Sequence, residues 1–298
     1  MGVGKHRGPG IDPWLGRYAV IWDPFCIDAH TKVNLALRVL RRQENGYHDL
    51  DTVFQELQWG DQLSFNPAVQ FGFRMRGLVI DGGENICLRA YREFRAAYKA
   101  ELPVEVILEK VVPPGSGLGG GSADAAAILK GLNRIADQPL AAETLHEIAT
   151  RLGADVPFFL HGGLQRGQGI GERLAPLEGR IEGHFLLVIP PIQVSTKQAF
   201  AALRIPLTAH KEPFTFGRSL TRADMVRFFD NDFESVIFHM HPEIGEIKST
   251  LLHEGATFAS LSGSGSTVYG IFETRSDAQR VRSRFPNRYH TQITTPTH

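Results

Sequence analysis

Pro113–Ala127 reads PPGSGLGGGSADAAA, and five of the seven residues from Gly115 to Gly121 are glycine. Glycine takes positive φ without steric cost and lets the backbone approach a ligand closely. The run closes on Ser122 and opens into an alanine-rich stretch with helical propensity. A helix start behind such a loop presents unpaired N–H groups and the positive end of the helix dipole. That combination binds phosphate, and Ser122 is well placed to cap the helix, with Asp124 in its first turn.

Two familiar kinds of phosphate loop fit the residues poorly. A P-loop ends in Gly-Lys-Ser/Thr, and no lysine stands there. Gly115–Gly120 does satisfy G-x-G-x-x-G, but a dinucleotide fold also needs a second strand ending in an acidic residue about 20 positions on. Here the following stretches are helical, Glu143 lies inside one of them, and Pro113-Pro114 is foreign to that motif.

Outward from the loop, Val104–Val111 is a β-branched strand that feeds it, and Asn85–Tyr98 has helical spacing. Upstream, Lys32–Leu40 alternates, with Val33, Leu35, Leu37 and Val39 on one face and Lys32 and Asn34 on the more polar one. Asn45-Gly46 marks a tight turn into Leu50–Leu57. Downstream, Ser122–Ile135 and Glu143–Leu152 are helices, the latter ended by Gly153. After Gly183 the pattern restarts. A strand at His184–Pro190 precedes a helix around Lys197–Leu203, further helices near Leu220–Phe229 and Pro242–Glu254, and strands Thr257–Leu261 and Thr267–Phe272 around the turn SGSGS. Strands and helices mix without strict βαβ alternation, so the expected class is α+β in two lobes. The divisions are an N-terminal extension over 1–28 anchored by Trp14 and Trp22, a catalytic domain over 29–183 and a substrate domain over 184–298.

Lys+Arg and Asp+Glu both number 32, which leaves no basic field for nucleic acid. No apolar run reaches about 18 residues, so no membrane span is expected. The N-terminus lacks the apolar core of a secretory signal. Cys26 and Cys87 form no metal or disulfide pattern. A cytoplasmic protein, monomer or homodimer, acting on a small molecule is expected.

PPGSGLGGGSADAA resembles the ATP loop of the galactokinase, homoserine kinase, mevalonate kinase and phosphomevalonate kinase (GHMP) superfamily. The glycine run, Ser122 and Asp124-Ala-Ala are most similar to the branch that phosphorylates 4-diphosphocytidyl-2-C-methyl-D-erythritol. TKVNLALRVLRRQENGYHDL, ENICLRA, LGADVPFFLHG, GIGE, Asn231-Asp-Phe-Glu234 and SGSGSTV agree with that branch in order and spacing, covering about residues 29–275. The resemblance implies an N-terminal α/β lobe like a ribosomal-protein fold and a ferredoxin-like C-terminal lobe. It also implies ATP and Mg²⁺ as cofactors, a bacterial source and a place in non-mevalonate isoprenoid synthesis.

By that resemblance, Asp155 is the catalytic carboxylate and Lys32 its partner. From spacing alone Asp155 is also a helix N-cap before Pro157. Pro114, Gly115, Gly117, Leu118, Gly119, Gly120, Gly121 and Ser122 would cradle the triphosphate, and Asn85 and Lys110 would line the adenosine pocket. Asn34, Tyr47, His48, Thr196, Phe200, Gly263, Ser264 and Gly265 would contact the acceptor, with Tyr47 and Phe200 sandwiching cytosine and His48 bonding its edge. Each has a plainer reading: a structural turn, a surface lysine, a core aromatic. The alternatives are a sibling small-alcohol kinase and an inactive nucleotide-binding regulator. The chain departs from the branch at Ala123, where a second serine is usual, at His30-Thr31, and at Gln165–Gly167.

Overall fold

The computed structural model describes residues 22–79, 84–179, 181–204, 214, 219–220, 223, 226 and 229–297. Strands β1 (Phe25–Arg42) and β2 (His48–Pro67) form a long antiparallel hairpin across the Asn45-Gly46 turn. Gly46 takes φ +89°, and Asn45 Oδ1 accepts the Tyr47 N–H at 3.0 Å. β1 starts at Phe25, so residues 25–28 belong to the sheet rather than to an extension, and Phe25 stacks on Phe65. Trp22 packs against Phe25; Trp14 lies outside the described residues.

β2 pairs along its later half with β4 (Val104–Lys110) and along its first half with β5 (Leu164–Gly169). β3 (Gly72–Gly77), parallel to β4, and β6 (Arg173–Pro176), beside β5, complete a six-stranded sheet. Helices α1 (Ile86–Tyr98), α2 (Gly120–Ile135), α3 (Ala142–Leu152) and α4 (Val156–His161) pack on it. The second sheet is antiparallel: β8 (His184–Ile189), β10 (Phe258–Leu261), β11 (Val268–Phe272) and β12 (His290–Thr294), in the order β10-β11-β8-β12. Its helices are α5 (Thr196–Leu203), α6 (Phe233–Met240), α7 (Pro242–His253) and α8 (Arg275–Arg282). Two short strands, β7 (Glu178–Gly179) and β9 (Ser219–Leu220), pair in parallel.

The two sheets share a core at β1. Val33, Leu35 and Leu57 pack with Phe185 and Tyr269 of the second sheet, each fully buried. Burying a side chain of that size contributes about 2 kcal/mol, so this junction contributes to stability as well as to the placement of the lobes. The Tyr269 hydroxyl donates to the Asn34 carbonyl at 2.9 Å, which ties the second lobe to the backbone of the polar strand.

Four expectations need correction. The alternation of β1 is broken by a bulge at Leu35, since Asn34 pairs with Phe54 and Ala36 with Val53. Val33, Leu35 and Ala36 therefore enter one apolar cluster, and Leu37 and Val39 another. Ser122 does not cap α2: the helix begins one turn earlier behind Gly119, which takes φ +73°. Asp124 lies beyond the first turn of α2, which holds no acidic residue, whereas Gly153 does end α3, with φ 172°. Leu220 lies in a strand, and most of the helix expected near Leu220–Phe229 falls outside the described residues.

α2 crosses the sheet closely because Gly131 faces the Phe65 ring. A Cβ there would lie 2.0 Å from Phe65 Cζ. Gly131→Ala is expected to destabilise the protein by about 3 kcal/mol through overpacking, read as a lowered midpoint in urea unfolding.

Candidate active site

Between the lobes lies a cavity of about 820 Å³. The glycine loop forms one wall. Gly115, Gly117 and Gly119 all have positive φ, and the N–H groups of the first turn of α2 have no intrahelical acceptor. Leu118 is fully buried and anchors the loop, and its carbonyl accepts the Lys32 N–H at 3.0 Å. A side chain at Gly119 would strike the Phe159 ring at 2.8 Å and crowd Lys32 Cε at 3.3 Å.

Lys32, on the polar face of β1, is held on all sides. Its Nζ donates to Asn34 Oδ1 at 2.7 Å and the Gly117 carbonyl at 3.3 Å, lies 3.3 Å from Asp155 Oδ2, and sits 5.3 Å above the Phe54 ring. Asn34 is fixed in turn, with its Nδ2 donating to Thr52 Oγ1 at 2.8 Å. Its amide therefore orients Lys32 as well as lining the cavity. Asp155 occupies the N-cap position of α4, yet its side chain makes no capping bond. Its carboxylate, about one-third exposed, faces the cavity beside Lys32. It is the one carboxylate among the described residues lining that cavity.

The Ser262–Ser266 turn joins β10 to β11 and packs backbone to backbone against the glycine loop. Ser262 Oγ donates to the Gly117 carbonyl at 2.9 Å, and Thr267 N donates to the Ser116 carbonyl at 3.0 Å. Asn231 holds the turn from behind, its Nδ2 donating to Leu261 O at 2.8 Å and Gly263 O at 2.9 Å. Glu234 accepts from Leu261 N at 3.0 Å. These contacts give the Asn-Asp-x-Glu stretch its local role.

At the far end, the His48 ring stacks on Phe200 at 4.5 Å, and Phe233 meets Phe200 edge-on at 4.9 Å. Tyr47 stands 60% exposed beside them. Burial and then the Arg42 cation lower the His48 pKa, which favours the neutral ring, able both to donate and to accept. Thr196 Oγ1 lies 3.0 Å from Ser264 Oγ. Lys197, Arg204 and Arg42 also line the cavity. Sequence reasoning missed these three; single basic residues carry no pattern that marks them before the fold assembles them.

The cavity thus gathers Lys32, Asn34, Tyr47, His48, Gly117, Gly119, Ser122, Asp155, Thr196, Phe200, Gly263 and Ser264. Pro114 and Gly115 are exposed at the loop's outer edge. Gly120 faces inward onto Val112 and Lys110, and Gly121 faces Ile86 at 3.8 Å. Gly265 packs on Leu261. Asn85 caps α1, its Oδ1 accepting the Cys87 N–H at 2.8 Å. Lys110 is no surface lysine: it is buried between Asp61 and Asp124. Ala123 is buried in the core of the first lobe.

The chain matches the family model of the GHMP kinases N terminal domain over residues 85–163 and that of the GHMP kinases C terminal over 216–291. It is 38% identical to a 4-diphosphocytidyl-2-C-methyl-D-erythritol kinase of Chlorobium luteolum over 91% of this chain and 96% of that one. A protein of the same name from Prosthecochloris aestuarii is 39% identical over 90% and 96%. A crystal structure of 4-(cytidine 5'-diphospho)-2C-methyl-D-erythritol kinase superposes with a TM-score of 0.77 at 32% identity, covering 92% of this chain and all of that one. A homoserine kinase from Cytophaga hutchinsonii, 16% identical with a TM-score of 0.67 over 94% and 96% of the two chains, shares the fold. Two lobes around a glycine loop, and this identity along nearly the whole length, place the chain in the 4-diphosphocytidyl-2-C-methyl-D-erythritol kinase family of GHMP kinases.

Proposed function

We propose that this protein transfers the γ-phosphate of ATP to the 2-hydroxyl of 4-diphosphocytidyl-2-C-methyl-D-erythritol, a step of non-mevalonate isoprenoid synthesis. The observation that carries the reading is the Lys32–Asp155 pair, 3.3 Å apart, facing the cavity that the glycine loop walls. Phosphoryl transfer needs the phosphates held, their charge neutralised, and the acceptor hydroxyl aligned and relieved of its proton. The loop and the start of α2 hold the phosphates through N–H groups. Asp155 accepts the hydroxyl proton. Lys32 supplies positive charge beside it, and the Ser262–Ser266 turn closes the transfer region.

Mg²⁺ fits this arrangement as a companion of the triphosphate. Among the described residues no group of three or more His, Cys, Asp or Glu side chains stands ready to cage a metal. Mg²⁺ commonly uses one or two carboxylates plus substrate phosphates, and Asp155 is the cavity's carboxylate. When bound, the ion neutralises phosphate charge.

The acceptor end supports the cytidylyl substrate over a sibling's small alcohol. Cytosine would take the place of the His48 ring on Phe200, the imidazole then meeting the base edge. Arg42, Lys197 and Arg204 give the cavity positive charge to meet a diphosphate. The neighbouring lysine–carboxylate pair supports turnover over an inactive regulator. We also propose two lobes that divide near residue 183, the first beginning with β1 at Phe25, a cytoplasmic location and a monomeric or homodimeric state. No helix among the described residues is long and apolar enough to cross a membrane.

Phe200→Ala is expected to raise the KM for the cytidylyl substrate about tenfold, the loss of one stacked base, and to leave the KM for MgATP unchanged. Steady-state kinetics check it, and an unchanged KM for the cytidylyl substrate would contradict the base site.

A further inference from the structure

Behind the glycine loop lies a charged cluster that the reaction scheme does not use. Lys110, Asp61 and Asp124 come from β4, β2 and the second turn of α2, and all three side chains are essentially inaccessible. Lys110 Nζ donates to Asp61 Oδ2 and, at 2.9 Å, to Asp124 Oδ2. Asp61 Oδ1 accepts the N–H groups of Val111 and Val112 at 2.6 and 2.9 Å. Asp124 Oδ1 is buried without a partner. A buried carboxylate oxygen with no donor is costly, and two carboxylates against one ammonium leave one negative charge uncompensated.

That charge lies under the phosphate loop. A Cβ at Gly120 would sit 3.1 Å from Lys110 Nζ, and Asp124 follows Ser122 by two residues. A triphosphate on the loop therefore lies near a cluster whose net charge is negative while both carboxylates are ionised, although the Lys110 ammonium is its part nearest the loop. We propose that Asp124 takes up a proton when ATP binds, so that nucleotide affinity is linked to pH through this cluster. The step is a protonation: one proton leaves the buffer and adds to the Asp124 carboxylate, and no other bond changes. The neutral cluster then no longer repels the phosphates. Asp124 is a positioning residue, since it acts through Lys110, which lies against Gly120 of the loop.

The groups facing Asp124 permit this. Burial pushes its pKa up to about 7; Lys110 opposes the rise and Asp61 adds to it. Burial works against the Lys110 charge, but the two carboxylates outweigh it and hold its pKa above the usual value. Cys87, from α1, is pushed well up by burial and stays a neutral thiol. A further negative charge above the loop moves Asp124 higher still.

The inference rests on the proposed ATP site. The test is calorimetric titration of the full chain with MgATP at pH 7.5 in two buffers of different ionisation enthalpy. The wild type is expected to take up about half a proton more per nucleotide than Asp124→Asn, and from pH 6.5 to 9 its affinity should fall about tenfold further, one unit of pKa shift. Comparing the two proteins cancels the ionisation of ATP itself. Equal proton uptake at comparable affinity would overturn this inference alone. Absence of MgATP binding to the wild type at any pH would overturn the ATP site and this inference with it. Infrared difference spectra of the wild type on adding MgATP need no variant at Asp124. A protonated-carboxyl band should appear, and should persist in Asp155→Asn; its absence would overturn the proposal.

Discussion

Asp155→Asn is expected to turn over about a thousandfold more slowly than the wild type while still binding MgATP. The substitution keeps the shape of the side chain and removes only its ability to accept a proton and to carry charge beside Lys32, 3.3 Å away. Because the side chain makes no capping bond to α4, the fold should persist, with a modest loss from the Lys32 pair and the helix dipole. The cavity offers no second carboxylate among the described residues, so no neighbour can take over the role. ADP release and calorimetric MgATP titration on the same preparation check it. Normal turnover would remove Asp155 from the chemistry.

The second large effect is at Gly117, where three parts of the site meet. Its carbonyl accepts from Lys32 Nζ and from Ser262 Oγ. A Cβ there would lie 2.3 Å from the Ser262 carbonyl oxygen and 2.9 Å from that of Gly265, both backbone atoms that cannot swing aside. Its φ of +85° adds strain for any other residue. Gly117→Ala is therefore expected to push the Ser262–Ser266 turn off the loop, weaken MgATP binding by at least about tenfold and cost about 3 kcal/mol of stability. Gly115→Ala is the control. It has the same sign of φ (+67°) but open space around its Cβ, so only the conformational cost of about 1 kcal/mol applies. Thermal melts and MgATP titrations of the two variants separate crowding from strain. Equal effects would mean that the contact between the two turns is unimportant.

Much of this site was legible because its chemistry is local. The glycine run announces close backbone approach, and the two-residue period of β1 puts Lys32 and Asn34 on one face. The helix expected around Lys197–Leu203 is α5, and Phe200 on it comes through resemblance. Other features depend on tertiary context. The bulge at Leu35 follows from how β1 is shared between two cores, and nothing at Leu35 itself announces it. The start of α2 moved one turn upstream because Gly119 in the left-handed region makes a sharper entry than a serine cap. Lys110 read as a strand-end lysine because its partner Asp61 is 49 residues away in sequence. Spacing alone makes Asp155 an N-cap; the resemblance pairs it with Lys32, and in the structure its carboxylate makes no capping bond and lies 3.3 Å from Lys32 Nζ.

The most direct test of the whole account is ADP release with MgATP and 4-diphosphocytidyl-2-C-methyl-D-erythritol, run beside mevalonate and homoserine, with the product weighed by mass spectrometry. The expected result is turnover confined to the cytidylyl substrate, with a mass gain of one phosphate. Turnover of mevalonate or homoserine instead, or no phosphorylation of the cytidylyl substrate by protein that still binds MgATP, would contradict it.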